Sequence, residues 1–134
     1  METEILFTRG ETPSIKILSS GEGEFTLNRP NASRPAFASI KLALEPRSAN
    51  EFGCVLSWQV SEQQIPFKYF HAVIEGVKGA LLKEEIPGKR LVGTTVIIKD
   101  GEYSESDSSG WAFYVATAHA FNTALKNANY EVLT

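Results

Sequence analysis

The chain has one cysteine, Cys54, so an internal disulfide is excluded, and with it the small cross-linked scaffolds typical of secreted domains. Cys54 lies in an apolar run and reads as a buried thiol in a reducing compartment. Histidines are as scarce: His71 and His119 stand apart, neither with a second His, Cys or carboxylate set at ligand spacing, so no metal site is expected. Glu75 follows His71 by four residues, which reads as a hydrogen bond on a helix face. A basic excess is also missing. Lysine and arginine number 13 against 16 acidic residues, for a net charge of -3, which argues against a free-standing nucleic-acid binder but leaves room for a local basic patch. Met1 is followed by Glu-Thr-Glu, with no basic or apolar leader, so no signal peptide is expected. No apolar run approaches the length of a membrane span, so no membrane partner is expected and a cytoplasmic location is. There is no repeat and no low-complexity tract.

What is present suits a single domain with a real core: 134 residues, 43% hydrophobic and 22% charged. After a short apolar patch, Ile5–Thr8, ended by Arg9-Gly10, alternation over Ser14–Leu18 predicts a strand. Ser19–Glu24 reads as turn material and Phe25–Leu27 as a second short strand. Asn28–Pro35 (NRPNASRP) is a loop, because proline removes ladder donors and fixes its backbone. Phe37–Glu45 is a strand with Ile40, Leu42 and Leu44 on one face and Ser39, Lys41 and Glu45 on the other. Pro46–Glu51 turns the chain into a further strand, Gly53–Val60.

Pro66 opens a helix whose stripe is Phe67, Phe70, Ile74, Val77 and Leu81. Pro87-Gly88 closes this region, and Leu91–Lys99 reads as one strand. A polar turn, Asp100–Ser109, leads into the last helix, with Asp107 or Ser108 as its N-cap. The expected buried stripe of that helix is Trp111, Val115, Ala118, Phe121 and Leu125; Ala112, Ala116, Ala120 and Ala124 leave another side small. Tyr130–Leu133 is extended. Strands followed by helices predict an α+β two-layer sandwich.

Catalytic chemistry is thin. No GxxxxGK[ST] phosphate loop occurs. Glu102, Glu105 and Asp107 share one short loop with no apolar pocket to split their acidities, so they read as solvated acids and a cap. Ser104, Ser106, Ser108 and Ser109 have no base nearby in sequence. The one local feature is basic: Arg29, Arg34, Lys41 and Arg47 surround the Pro/Asn loop and its following strand, with Glu45 as the only acid between 29 and 47. Such arginines either pair with phosphate or form an ordinary solvated face.

YFHAVIEGVKGALL (69–82) and GTTVIIKDGEYSESDSSGWAF (93–113) resemble domain IV of elongation factor G and its relatives, including the tetracycline-resistance ribosomal protection proteins. Tyr69, Ala72, Val73, Gly76 and Val77 match the family's helix; Asp100, Gly101, Tyr103, Asp107, Ser108, Ser109, Ala112 and Phe113 match its loop and second helix. FASIKLALEP (37–46) is similar to the family strand that ends in Glu-Pro. The resemblance runs from about Ser14 onward, leaving 1–13 as an extension or the end of a preceding domain and 14–134 as the domain-IV-like unit.

The resemblance implies a ribosomal-protein-S5-like fold: a mostly antiparallel four-stranded sheet with two helices on one face. It also implies an arm that reaches the decoding region of the small ribosomal subunit, meeting rRNA and the A-site tRNA and mRNA, in translocation or in release of tetracycline. The contacting tips map to Asn31–Ala36 and Tyr103–Ser108. The implied contact residues are Arg29, Asn31, Ala32, Ser33, Arg34 and Pro35, with Tyr103, Ser104, Glu105, Ser106, Asp107 and Ser108. Arg34 and Arg29 would meet phosphate, and Tyr103 would stack on a base.

This sequence departs from the translocation factors in having Ser104 where they carry a tip histidine, and ASRPAFA (32–38) in place of a glycine-rich first loop. Those features lean toward the ribosomal protection proteins, whereas Asp107-Ser108-Ser109 is the elongation factor's, so both subfamilies stay open. GTP and magnesium would belong to another part of a longer translational GTPase, and the segment would be monomeric, without cofactor or catalysis of its own. The competing readings are an enzyme of the same superfamily fold, whose kinases carry a glycine-rich phosphate loop not found here, and a free-standing protein-interaction domain. An exposed aromatic patch at Trp58 or Trp111 would favour the latter.

Overall fold

The computed structural model describes residues 1–7, 13–48, 53–83 and 85–133. The expected Arg9-Gly10 stop lies outside these residues, as does half of the turn at Pro46–Glu51. The strands are β1 (Glu2–Glu4), β2 (Ser14–Ser19), β3 (Gly21–Arg29), β4 (Ala36–Pro46), β5 (Cys54–Trp58), β6 (Arg90–Val92), β7 (Thr94–Glu102) and β8 (Asn129–Leu133). The helices are α1 (Phe70–Ala80) and α2 (Gly110–Asn127).

The main sheet has the order β1-β5-β7-β4-β3, with β5 and β7 parallel and the other neighbours antiparallel. Facing partners across the ladder share a side, so Gly23, Leu42 and Ile98 lie in one row, and Gly21, Leu44, Val96 and Leu56 in the next. Both helices cover this face: α2 packs on β3 and β4, and Phe70 of α1 meets the Trp58 ring edge-on at 5.2 Å. The expected α+β two-layer class is the observed one. The sheet has five strands where four were expected, because β1 is Glu-Thr-Glu and has no apolar pattern to announce it. A second, three-stranded sheet, β6-β2-β8, flanks the first.

Three expectations are corrected by packing. The first is that Ser19–Glu24 is a turn; instead Gly21–Arg29 is one continuous strand. Gly21 and Gly23 are buried because the α2 backbone lies directly on them: a Cβ on Gly23 would overlap the Ala120 carbonyl, and one on Gly21 the Ala124 carbonyl. The second concerns α2 itself. Its fully buried line is Ala112, Ala116, Ala120 and Ala124, joined by Phe113, Thr117 and Phe121, whereas Trp111 is 56% exposed and Val115 only half-buried. The small side faces the glycines, and the large indole is too bulky for that seam. The third concerns Leu91–Lys99, which is two strands. Gly93 takes a positive φ of 54°, and the break sends β6 to pair in parallel with β2 while β7 enters the main sheet.

The first helix also starts differently. Phe67–Tyr69 is a 3₁₀ turn, whose tighter winding takes Phe67 off the apolar stripe and leaves it 49% exposed. Tyr69, Val73, Val77 and Leu81 form the buried side, with Ile74 beside them. Gly76 lets α1 approach α2, since a Cβ there would stand 2.7 Å from the Thr117 Cβ.

The other face of the main sheet is open and charged. Glu22 lies between Lys99, at 2.8 Å, and Lys41, at 3.6 Å. The hydrogen bond from Lys99 and its charge hold the Glu22 carboxyl below the usual range, and Glu22 in turn raises the Lys99 ammonium. Cys54 is buried, and burial pushes its thiol up to about 12.

The α2–β3 seam predicts that Gly23→Ala destabilises the domain by about 1–3 kcal/mol or more. Gly53→Ala, where the nearest atom to a new Cβ is 3.9 Å away, should leave urea unfolding nearly unchanged. Equal midpoints for the two variants would disprove the seam's tightness. Cys54 makes a second prediction. A thiol raised from 9.0 to about 12 in the folded state contributes stability that is whole below pH 9 and is lost as pH climbs through that window. Urea titrations of wild type and Cys54→Ala should therefore diverge above pH 9, wild type falling by up to roughly 1.4 kcal/mol per pH unit more steeply; parallel curves would refute it.

Candidate functional site

The candidate site lies at the end at which the β3–β4 hairpin and the β7–α2 connection both leave the sheet. The last β3–β4 pair is Arg29↔Ala36, and the last β4–β7 pair is Ser39↔Glu102. Beyond them, Pro30–Pro35 is an exposed loop closed by a proline at each end. Tyr103–Ser109 forms the second loop, shorter than the Asp100–Ser109 turn expected, because β7 runs on to Glu102.

The second loop is laced to the start of β4, just after the first loop. Ser108 Oγ donates to the Phe37 carbonyl at 2.7 Å and accepts from Ser104 N at 2.9 Å. Phe37 N donates to the Asp107 carbonyl at 3.1 Å, so the start of β4 is held from both sides. Within the second loop, Ser108 N donates to the Ser104 carbonyl at 3.0 Å and Asp107 N to Ser104 Oγ at 3.3 Å. Ser106 Oγ reaches Asp107 Oδ1 at 3.0 Å. The serines that suggested no chemistry in the sequence thus build a turn. The N-cap of α2 is Ser109, whose Oγ accepts from Ala112 N at 3.1 Å, and not Ser108 or Asp107. Ser108 is unavailable for capping because its hydroxyl is committed to β4.

Arg29, at the end of β3, and Asn31, Ala32, Ser33, Arg34 and Pro35, on the first loop, are all exposed; Tyr103, Ser104, Asp107 and Ser108 are half-buried on the second, with Glu105 and Ser106 exposed. No ion pair engages Arg29 or Arg34 among the described residues. The wider basic cluster does not form. Lys41 pairs with Glu22 on the open sheet face, and Arg47 follows the far end of β4, its backbone N–H on the Gly93 carbonyl at 2.8 Å. Strand alternation and length separate the four residues, a separation that a count of charges along the sequence does not reveal.

A neighbouring element, unmarked in the sequence reading, completes this end. The segment before α1 runs beside the second loop, and Glu62, Pro66, Lys68 and Tyr69 line a groove of 570 Å³ with Tyr103 and Glu105. Tyr69 is fixed by stacking on Phe113 at 4.7 Å, and the Lys68 ammonium stands 5.3 Å from the Tyr69 ring centre. Glu62 accepts from Phe67 N at 3.0 Å, which orients the 3₁₀ turn. The signal in the sequence was Pro66 at a helix start beside the matched Tyr69.

His71 is exposed, and His119 stacks on Phe25 at 4.4 Å. Among the described residues no group of three or more His, Cys, Asp or Glu is arranged to hold a metal, and no helix is long and apolar enough to cross a membrane.

The lacing predicts that Ser108→Ala loosens the second loop and the start of β4 together, leaving the Ser104 N–H without its acceptor at a cost of about 1–3 kcal/mol. Amide exchange should accelerate at Ser104 and at Phe37 in this variant. Exchange unchanged at Phe37 would show that loop and strand are independent.

Known proteins share this geometry. The family model described as elongation factor G, domain IV matches residues 15–129. The chain is 34% identical over 123 residues to elongation factor G of Petrotoga mobilis, covering 90% of this chain and 17% of that protein. A crystal structure from Thermus thermophilus superposes with a TM-score of 0.77 at 27% identity, covering 95% of this chain and 19% of the other. The chain thus spans about a sixth of the length of the curated relative it matches. It belongs to the elongation factor G domain IV family.

Proposed function

We propose that this domain is the ribosome-contacting arm of a translational GTPase, working at the decoding region of the small subunit in translocation or in tetracycline release. The observation that supports this best is the tying of the second loop to the start of β4, beside an exposed first loop, with Arg29 and Arg34 free of ion pairs among the described residues. Cations on a pre-ordered loop suit phosphate, and little ordering entropy is then lost on docking. The overall charge of -3 makes attraction to RNA depend on local cations such as these.

In this reading the domain-IV unit takes in 14–134 together with β1, which pairs with β5, and buried Ile5, all within a longer cytoplasmic protein. GTP, magnesium and hydrolysis belong to that longer protein, and this segment supplies contact and not catalysis. rRNA, tRNA and mRNA are its partners, met through Asn31–Ala36 and Tyr103–Ser108. Alone, the segment is a monomer. The exposure of Trp111, at 56%, favours a second reading in which the helical face docks another protein.

The test is Arg29→Ala with Arg34→Ala in the full-length factor. Charge-assisted contacts of about 1.5–3 kcal/mol correspond to a loss of roughly ten- to a hundredfold per contact in ribosome-dependent activity. The urea midpoint of the domain should not move. Unchanged activity would remove the arginines from the site, and loss of activity in Trp111→Ala alone would favour the protein-docking reading.

A further inference from the structure

Resting on the ribosome-contacting reading, we infer that the groove between the 62–69 segment and Tyr103 is a receptor for one unpaired nucleotide whose base carries an exocyclic amine. Its volume of 570 Å³ is ample for one nucleotide, and it opens at the same end as the loop arginines. The wall is of mixed chemistry in a useful order. Tyr103 lines the groove and also packs against the core, so it is already held. Aromatic rings of this kind bind unstacked bases at about 1–3 kcal/mol per base. Lys68 is exposed at the rim, in place for a phosphate.

The carboxylates decide which base fits. A groove built only for phosphate would not be lined by Glu62 and Glu105. Glu62 is committed to the backbone of the 3₁₀ turn. Glu105 is exposed, with no hydrogen bond or ion pair from its side chain among the described residues. A carboxylate only accepts hydrogen bonds, so it suits the amine of cytosine, adenine or guanine, whereas uracil offers it only a ring N–H flanked by two repelling carbonyl oxygens. A duplex does not fit, because its stacked bases leave no free face for the Tyr103 ring. The loop arginines then hold the RNA backbone while this groove reads one splayed base, a division between positioning and specifying contacts.

The experiment is amide chemical-shift titration of this chain with the tetranucleotides CCCC and UUUU. Shifts should gather at 62–69 and 103–105 with CCCC, which should bind about tenfold more tightly than UUUU. Glu105→Gln, an exposed change that leaves the fold alone, should narrow that difference to less than about threefold, because the amide also donates. Lys68→Ala should weaken both oligonucleotides alike and flatten the salt dependence. Equal binding of CCCC and UUUU, shifts confined to other surfaces, no shifts at millimolar oligonucleotide, or an unaltered preference in Glu105→Gln would each overturn the inference. Co-sedimentation of the full-length factor with ribosomes separates the two proposals. If Glu105→Gln and Lys68→Ala sediment like wild type while Arg34→Ala does not, the arm stands and the groove falls.

Discussion

The structure depends on how closely α2 can lie on β3. Gly21 and Gly23 remove two side chains from the sheet, and a line of four alanines removes the bulk from the helix. The two backbones then meet with no room for a Cβ at Gly21 or Gly23. That contact sets the height of α2 above the sheet, and Gly76 lets α1 press on its flank. Phe113 and Phe121 fill the remaining space, and Phe113 stacks on Tyr69 to fix the start of the first helix. Interiors packed this tightly have low compressibility and hold their geometry well.

The working end inherits its rigidity from this seam. The start of α2 is placed by the packed helix behind it, and Ser109 closes its first turn. Ser108, one residue earlier, ties the loop to β4. A short serine-rich segment thereby joins a helix to a neighbouring strand, and the Pro-bounded loop next to it is held through Phe37. An arm that must press on another assembly needs this kind of stiffness at its tip, whereas flexible loops would lose affinity to ordering. The ordered tip suits the arm reading, and the charged open face of the sheet, with Glu22 between Lys41 and Lys99, suits solvent.

Much of this was legible in the sequence. The alternation of Ile40, Leu42 and Leu44 fixed the orientation of β4, and the domain IV resemblance is matched by the family model over residues 15–129. What was hidden is tertiary. Glycines in GEGE look like a turn until a helix is known to cover them. Trp111 looks like a core residue until the alanines beside it are seen to face the sheet. Gly93 divides an apolar run between two sheets, which no periodicity can announce. At the tip, the four cations were near one another in sequence, yet only Arg29 and Arg34 flank the loop in space, because a strand carries Lys41 and Arg47 away. The groove beside Tyr103 was missed because its residues come from two distant segments with no shared motif.

The most direct test of the account is site-specific photocrosslinking from the full-length factor bound to ribosomes, with the probe at Ala32 in the first loop or at Glu85, beyond the C-terminal end of α1. The account predicts crosslinks to small-subunit RNA, tRNA or mRNA from position 32 and none to these from position 85. Crosslinks to them from position 85 with none from position 32 would contradict it, because the end of the domain that meets RNA would then be the other one.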